Sequence, residues 1–142
     1  SDEPYVTELG KARIMREGKD VTIVAISHMV MEALRASHYL EKAGIEAEVI
    51  DPVSLRPLDM DTIIASVKKT GRLLIVDNGW LTCGASSEIM AQVIERLPEG
   101  INGKLVPMKR MGFADTPCPT TKPLENLFYP NGKGIAEAAY RL

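Results

Sequence analysis

Four consecutive apolar residues, Leu73-Leu74-Ile75-Val76, end at Asp77 and lead through a glycine-bearing loop into an amphipathic segment from about Ala85. The run shows no period-2 alternation, and turn residues bound it on both sides, so it reads as a strand buried on both faces. Such strands belong to parallel sheets, and in open α/β sheets the loops after the carboxyl ends of the strands hold ligands or partners. Asp77, Asn78, Trp80 and Cys83 therefore stand where function is expected.

The rest of the chain repeats that unit. Ala12 to Arg16 and Val21 to Ile26 look like two extended segments joined by a tight Gly-Lys-Asp turn, a hairpin signal. Ser27 is placed to cap the following helix, whose apolar positions Val30, Ala33, Leu34, Ser37 and Leu40 fall on one face before Gly44 ends it. Ile45 to Ile50 gives a third strand. Pro57 holds Arg56 extended, Asp59 can cap a helix with Met60, Ile63, Ile64 and Val67 inward, and Gly71 stops it behind Lys68 and Lys69. After the Leu73 strand, Ile89, Val93 and Leu97, widened by Met90 and Ile94, mark a third helix that Pro98 and Gly100 end. Lys104 to Lys109 is a weaker strand, because Pro107 has no ladder donor. Residues 112–134, with prolines at 117, 119, 123 and 130, read as a loop, and Ile135, Ala139 and Leu142 as a last helix.

Strands alternating with helices of ~10–15 residues give right-handed βαβ crossovers. The expected fold is α/β: a three-layer sandwich on a mostly parallel five-stranded sheet, with the first strand, and as an alternative also the last, antiparallel. Residues 1–142 form one domain, large enough to bury about 68–70% of its unfolded surface. The start without methionine suggests a piece of a longer polypeptide.

A net charge of -2 with scattered Lys and Arg gives no reason to expect nucleic acid. No apolar run approaches the ~20 residues of a membrane helix, and no signal peptide is evident. Cys83 and Cys118 form neither a CxxC pair nor a zinc pattern and read as reduced thiols.

His28, after the Val21 strand, could act as a general base or bind an anion beside a helix start; with no Ser, Cys or carboxylate at a recognised spacing, a domain-interface residue is the plainer reading. Cys83, before a helix, could be an activated thiol, but TCGAS carries no nucleophile signature and a packed turn residue is preferred. Trp80 serves partner contact and local packing equally well. Arg56 could clamp a phosphate or carboxylate, although a lone Arg in a proline-bounded loop more often pairs with a neighbouring carboxylate. There is no GxGxxG after the first buried strand, no GxxxxGK[ST] and no HExxH.

GKA-x(3)-REGKDVTIV, EVID-x(3)-LRPLD and KKTGRLL-x-VD-x-GW together resemble the C-terminal domain of the β subunit of thiamine-diphosphate-dependent 2-oxo acid dehydrogenases, within the transketolase C-terminal superfamily. The likeness runs from about Gly10 to Leu142. FADTPCPTTKPLENLFYPN is similar to the family's proline-rich segment, which more often has the form GADVPxPY.

The resemblance implies that thiamine diphosphate and Mg2+ are bound by a GDG-to-Asn motif elsewhere, on an α subunit or equivalent domain, and that the activating glutamate lies in a preceding domain. It therefore implies no catalytic, cofactor-binding or metal-binding residue here. The implied work is assembly in the oxidative decarboxylation of a 2-oxo acid such as pyruvate. Partners would be a second β subunit, the E1 α subunit and, in some members, the E2 acyltransferase. His28, Arg56, Asn78, Trp80 and Cys83 are the interface candidates. The expected compartment is the cytoplasm, or the mitochondrial matrix in a eukaryote. Rival readings are the matching domain of a transketolase or deoxyxylulose-phosphate synthase, and an independent small enzyme binding an anion near His28, Arg56 and Asn78.

Overall fold

The computed structural model describes residues 6–142. Five strands, β1 (Arg13–Arg16), β2 (Val21–Ala25), β3 (Ala47–Asp51), β4 (Leu73–Val76) and β5 (Met108–Met111), form one sheet in the order β1-β3-β2-β4-β5. Pairing is parallel between β3, β2, β4 and β5, and antiparallel only between β1 and β3. The last strand is thus parallel. It begins after Pro107, whose carbonyl still accepts the Leu73 N–H at 3.0 Å although the residue has no N–H to donate.

The expected hairpin does not form, because β3 lies between β1 and β2. β2 is buried along its whole length and so takes a parallel neighbour on each side. β1, with Arg13 and Arg16 and mostly exposed, goes to the edge. The connection crosses the start of β3: Lys19 and Asp20 both donate to the Glu46 carbonyl at 3.0 Å. A register shift between Ile14 and Arg16 puts a bulge in this edge strand.

Helices cover both faces. Val21, Ile23 and Ala25 of β2 and Leu74 and Val76 of β4 pack in one cluster with α1 (Met29–Lys42) and α5 (Gly132–Tyr140). Val24, Ile50, Leu73 and Ile75 pack on the opposite face with α2 (Met60–Thr70) and α3 (Ala85–Arg96). Each buried strand therefore alternates between two apolar layers, which is why its sequence is apolar throughout. Fully burying an Ile or Leu contributes about 1.5–3 kcal/mol, and Ile23, Ile63, Leu74, Ile89 and Ile135 are all fully buried.

The helix ends follow the capping residues with one exception. Asp59 caps α2, accepting from the Thr62 N–H at 3.1 Å, and Gly71 closes that helix at φ 74. A second Asp59 oxygen accepts from the Ala12 N–H at 3.0 Å, tying the approach to β1 onto α2. Burial opposes ionisation of Asp59, but the bonds from Ala12 and Thr62 outweigh it and hold the pKa below the ordinary value. Ser27 is not a cap. It turns sharply at φ 58, and His28 takes the cap position of α1 without a side-chain bond.

Within 112–134 a short helix, α4 (Lys122–Phe128), replaces the expected loop. Pro123 falls in its first turn, where no intrahelical N–H is needed. Ile94 is 53% exposed and does not widen the buried face of α3.

Candidate functional site

The chain leaves β2 towards β3 on one side, while β4 lies on the other side of β2 and leads to β5. The gap beyond the carboxyl ends of β2 and β4 is the topological switch point, where open α/β sheets bind their ligands. A cleft of about 770 Å³ opens there. His28, Glu32 and Arg35 line it from the start of α1, Asn78 from the end of β4, and Tyr129 and Lys133 from the C-terminal segment.

Asp77 sits beneath this edge and is buried. Its backbone N–H donates to the Met111 carbonyl at 2.9 Å. Burial pushes its pKa up, and the neighbouring backbone N–H groups of Ser86 and Asn78 oppose that shift without cancelling it. Asp77 thus stands by the first turn of α3, which contains Ser86 and whose N-cap, Gly84, offers no side chain. Gly84 cannot be replaced cheaply: a Cβ there would lie 2.1 Å from the Trp80 carbonyl oxygen. Cys83, just before it, is exposed at φ 56.

Trp80 packs edge-to-face on Phe113 and Phe128, with ring centroids at 5.6 and 5.8 Å. Tyr129 stacks in T-shape on both Phe rings. This cluster ties the loop after β4 to the chain after β5 and to α4. Trp80 nevertheless stays 45% exposed, and α4 also exposes Leu124 at 55% and Leu127 at 78%.

Of the residues singled out from sequence, His28 and Asn78 meet in the cleft, and Trp80 and Cys83 belong to the loop that continues from Asn78. Arg56 does not line the cleft. It is exposed in the β3–α2 connection, joined to Pro57 by a cis peptide. Sequence reasoning missed Glu32, Arg35, Tyr129 and Lys133. The first turn of α1 was the available signal for Glu32, since a helix that follows a parallel strand begins at the carboxyl edge; Arg35, Tyr129 and Lys133 had no such signal.

Fold and site define a class: a three-layer α/β domain with a polar switch-point cleft beside a half-exposed aromatic cluster. Within that class the chain belongs to the transketolase C-terminal domain family, whose model matches residues 10–135. The mitochondrial pyruvate dehydrogenase E1 component subunit beta of Pisum sativum is 47% identical over 140 residues, 99% of this chain and 38% of that protein. The pyruvate dehydrogenase E1 component subunit beta of Bacillus subtilis is 40% identical, over 99% of this chain and 42% of that one. A split-gene transketolase solved as an inactive β4 tetramer superposes with a TM-score of 0.82 at 29% identity, covering 95% of this chain and 43% of that one. The chain thus spans about two fifths of the curated relatives it matches. No described helix is long and apolar enough to cross a membrane.

Proposed function

We propose that this chain is the C-terminal assembly domain of a β subunit of the pyruvate dehydrogenase E1 type. The carrying observation is the end-to-end match: 99% of the chain aligns at 47% identity with 38% of the pea subunit. The domain pairs β subunits and buttresses the contact with an E1 α subunit, and its outer face is available to an E2 acyltransferase. The whole protein decarboxylates a 2-oxo acid oxidatively, in the mitochondrial matrix or the bacterial cytoplasm.

The residues around the cleft do not fit a Mg2+-diphosphate group. Mg2+ is held by carboxylates in octahedral oxygen geometry, whereas among the described residues no group of three or more His, Cys, Asp or Glu could hold a metal ion. The cleft carboxylates are engaged already, Glu32 by Arg35 and the Gly132 N–H, and Glu125 by Lys122. Thiamine diphosphate and Mg2+ accordingly belong to other domains in this reading.

Trp80, Leu124 and Leu127 supply apolar surface of the kind that marks a protein interface, with Trp80 as an anchor. Asn78 and Cys83 lie in the same loop as Trp80, and His28 and Asn78 line the cleft. Sedimentation velocity on the 142-residue chain over a rising concentration series tests this. A dimer or weak oligomer is expected, and a strictly monomeric species at the highest concentration overturns the pairing role.

A further inference from the structure

A second hollow, of about 670 Å³, opens between the loop after β4 and the chain after β5, lined by Trp80, Leu81, Thr82, Phe113 and Asp115. Two of its walls are aromatic. Trp80 meets Phe113 edge to face, with ring centroids 5.6 Å apart and 87° between the planes. The Phe113 N–H donates to the Gly79 carbonyl at 2.9 Å, and Phe128 packs against both rings, so backbone and packing hold these walls in place. Trp80 still presents nearly half its surface to solvent.

Among the lining residues Asp115 alone is charged. It is exposed and forms no ion pair among the described residues. Arg110, the cation bonded to this loop, donates to the Leu81 carbonyl and to the Ser87 hydroxyl of α3 rather than to Asp115. Two aromatic rings and one unmatched carboxylate therefore share the same space. Aromatic rings are electron-rich on their faces, so a cation lying against them is attracted, and the carboxylate adds attraction of the same sense together with acceptors for N–H donors. An anion is repelled by both kinds of group, and a purely apolar side chain leaves Asp115 unmatched. A guanidinium suits the set better than an ammonium, because it is planar, stacks on aromatic rings and is the more weakly hydrated cation.

We propose that this hollow receives an arginine side chain from a partner polypeptide, its guanidinium lying against Trp80 and Phe113 and donating to the Asp115 carboxylate. The inference rests on the reading of this face as a protein interface and names the group that the partner brings to it.

Trp80 is the only tryptophan, so its fluorescence reports on the hollow directly. Titration of the 142-residue chain at low salt with a capped Gly-Arg-Gly peptide, and separately with capped Gly-citrulline-Gly, whose side chain keeps the shape without the charge, tests the proposal. A saturable change is expected with the arginine peptide. The citrulline peptide should bind about tenfold more weakly, and the arginine peptide about threefold more weakly to Asp115→Asn. Asp61→Asn, which removes an exposed carboxylate from α2, should bind as the parent does. No saturable change, or undiminished affinity in Asp115→Asn, overturns the site. Equal affinity for the two peptides overturns the role of the cation. Sedimentation without peptide reads self-association separately: a chain that associates but does not respond to arginine overturns this site and leaves the assembly role standing.

Discussion

Asp77 shows how one residue serves a loop it does not belong to. It ends a strand buried on both faces, so its carboxylate stays beneath the sheet edge, where the chain from Asn78 to Gly84 folds around it. Two backbone N–H groups favour the ionised form, but burial opposes it more strongly and raises the pKa. A raised carboxyl pKa means that the folded state holds the proton longer than the unfolded chain does. The stability tied to Asp77 is therefore complete below the ordinary aspartate value and declines as pH rises through the folded value. Asp77→Asn never ionises and keeps a carbonyl oxygen for the Ser86 N–H. In urea unfolding, the stability of the parent relative to this variant should fall as pH rises above the ordinary aspartate value of about 4. A relative gain over that rise would mean that the fold favours the carboxylate, and that burial does not dominate.

Among the elements, α1 ends in an arrangement that Gly44 makes possible. Gly44 sits at φ 78, its N–H donates to the Glu41 carbonyl at 3.0 Å, and the Ile45 N–H reaches the Leu40 carbonyl at 3.0 Å, the paired bonds of a Schellman motif. A Cβ at Gly44 would meet nothing within 4 Å, so Gly44→Ala isolates the conformational cost. Equilibrium unfolding should show a loss of about 1–2 kcal/mol; no loss would mean that the lowered entropy of the unfolded chain offsets the left-handed penalty. Signals of this local kind made Gly44, Asp59 and Gly71 legible in the sequence. The neighbours of β1 were not legible, because strand order depends on what the doubly apolar β2 needs on each side. The start of β5 was set by Pro107, and α4 was hidden by Pro123, a residue that breaks a helix interior but is tolerated in a first turn.

For the molecule as a whole, the apolar layers were readable because their periodicity repeats in every element, whereas the cleft was only half readable. His28 and Asn78 follow strands directly, so their edge is fixed by the strand direction. Lys133 reaches the same cleft through α5, whose packing on α1 no local pattern announces. That packing also separates apolar residues that hold the fold from those left facing outward. Ile135 is fully buried between α1 and the sheet, while Leu127 on α4 is 78% exposed. Ile135→Ala should cost about 2–5 kcal/mol in denaturant unfolding, through lost transfer energy and the cavity left behind, a large share of the ~5–15 kcal/mol that holds a typical domain. Leu127→Glu should leave the unfolding free energy within about 0.5 kcal/mol, as a surface change touching no core contact does. The same Leu127→Glu chain should sediment with less self-association than the parent, because a charge would enter the apolar contact. If Leu127→Glu instead unfolds as readily as Ile135→Ala, α4 carries core stability. If it associates undiminished, the pairing surface lies on another face.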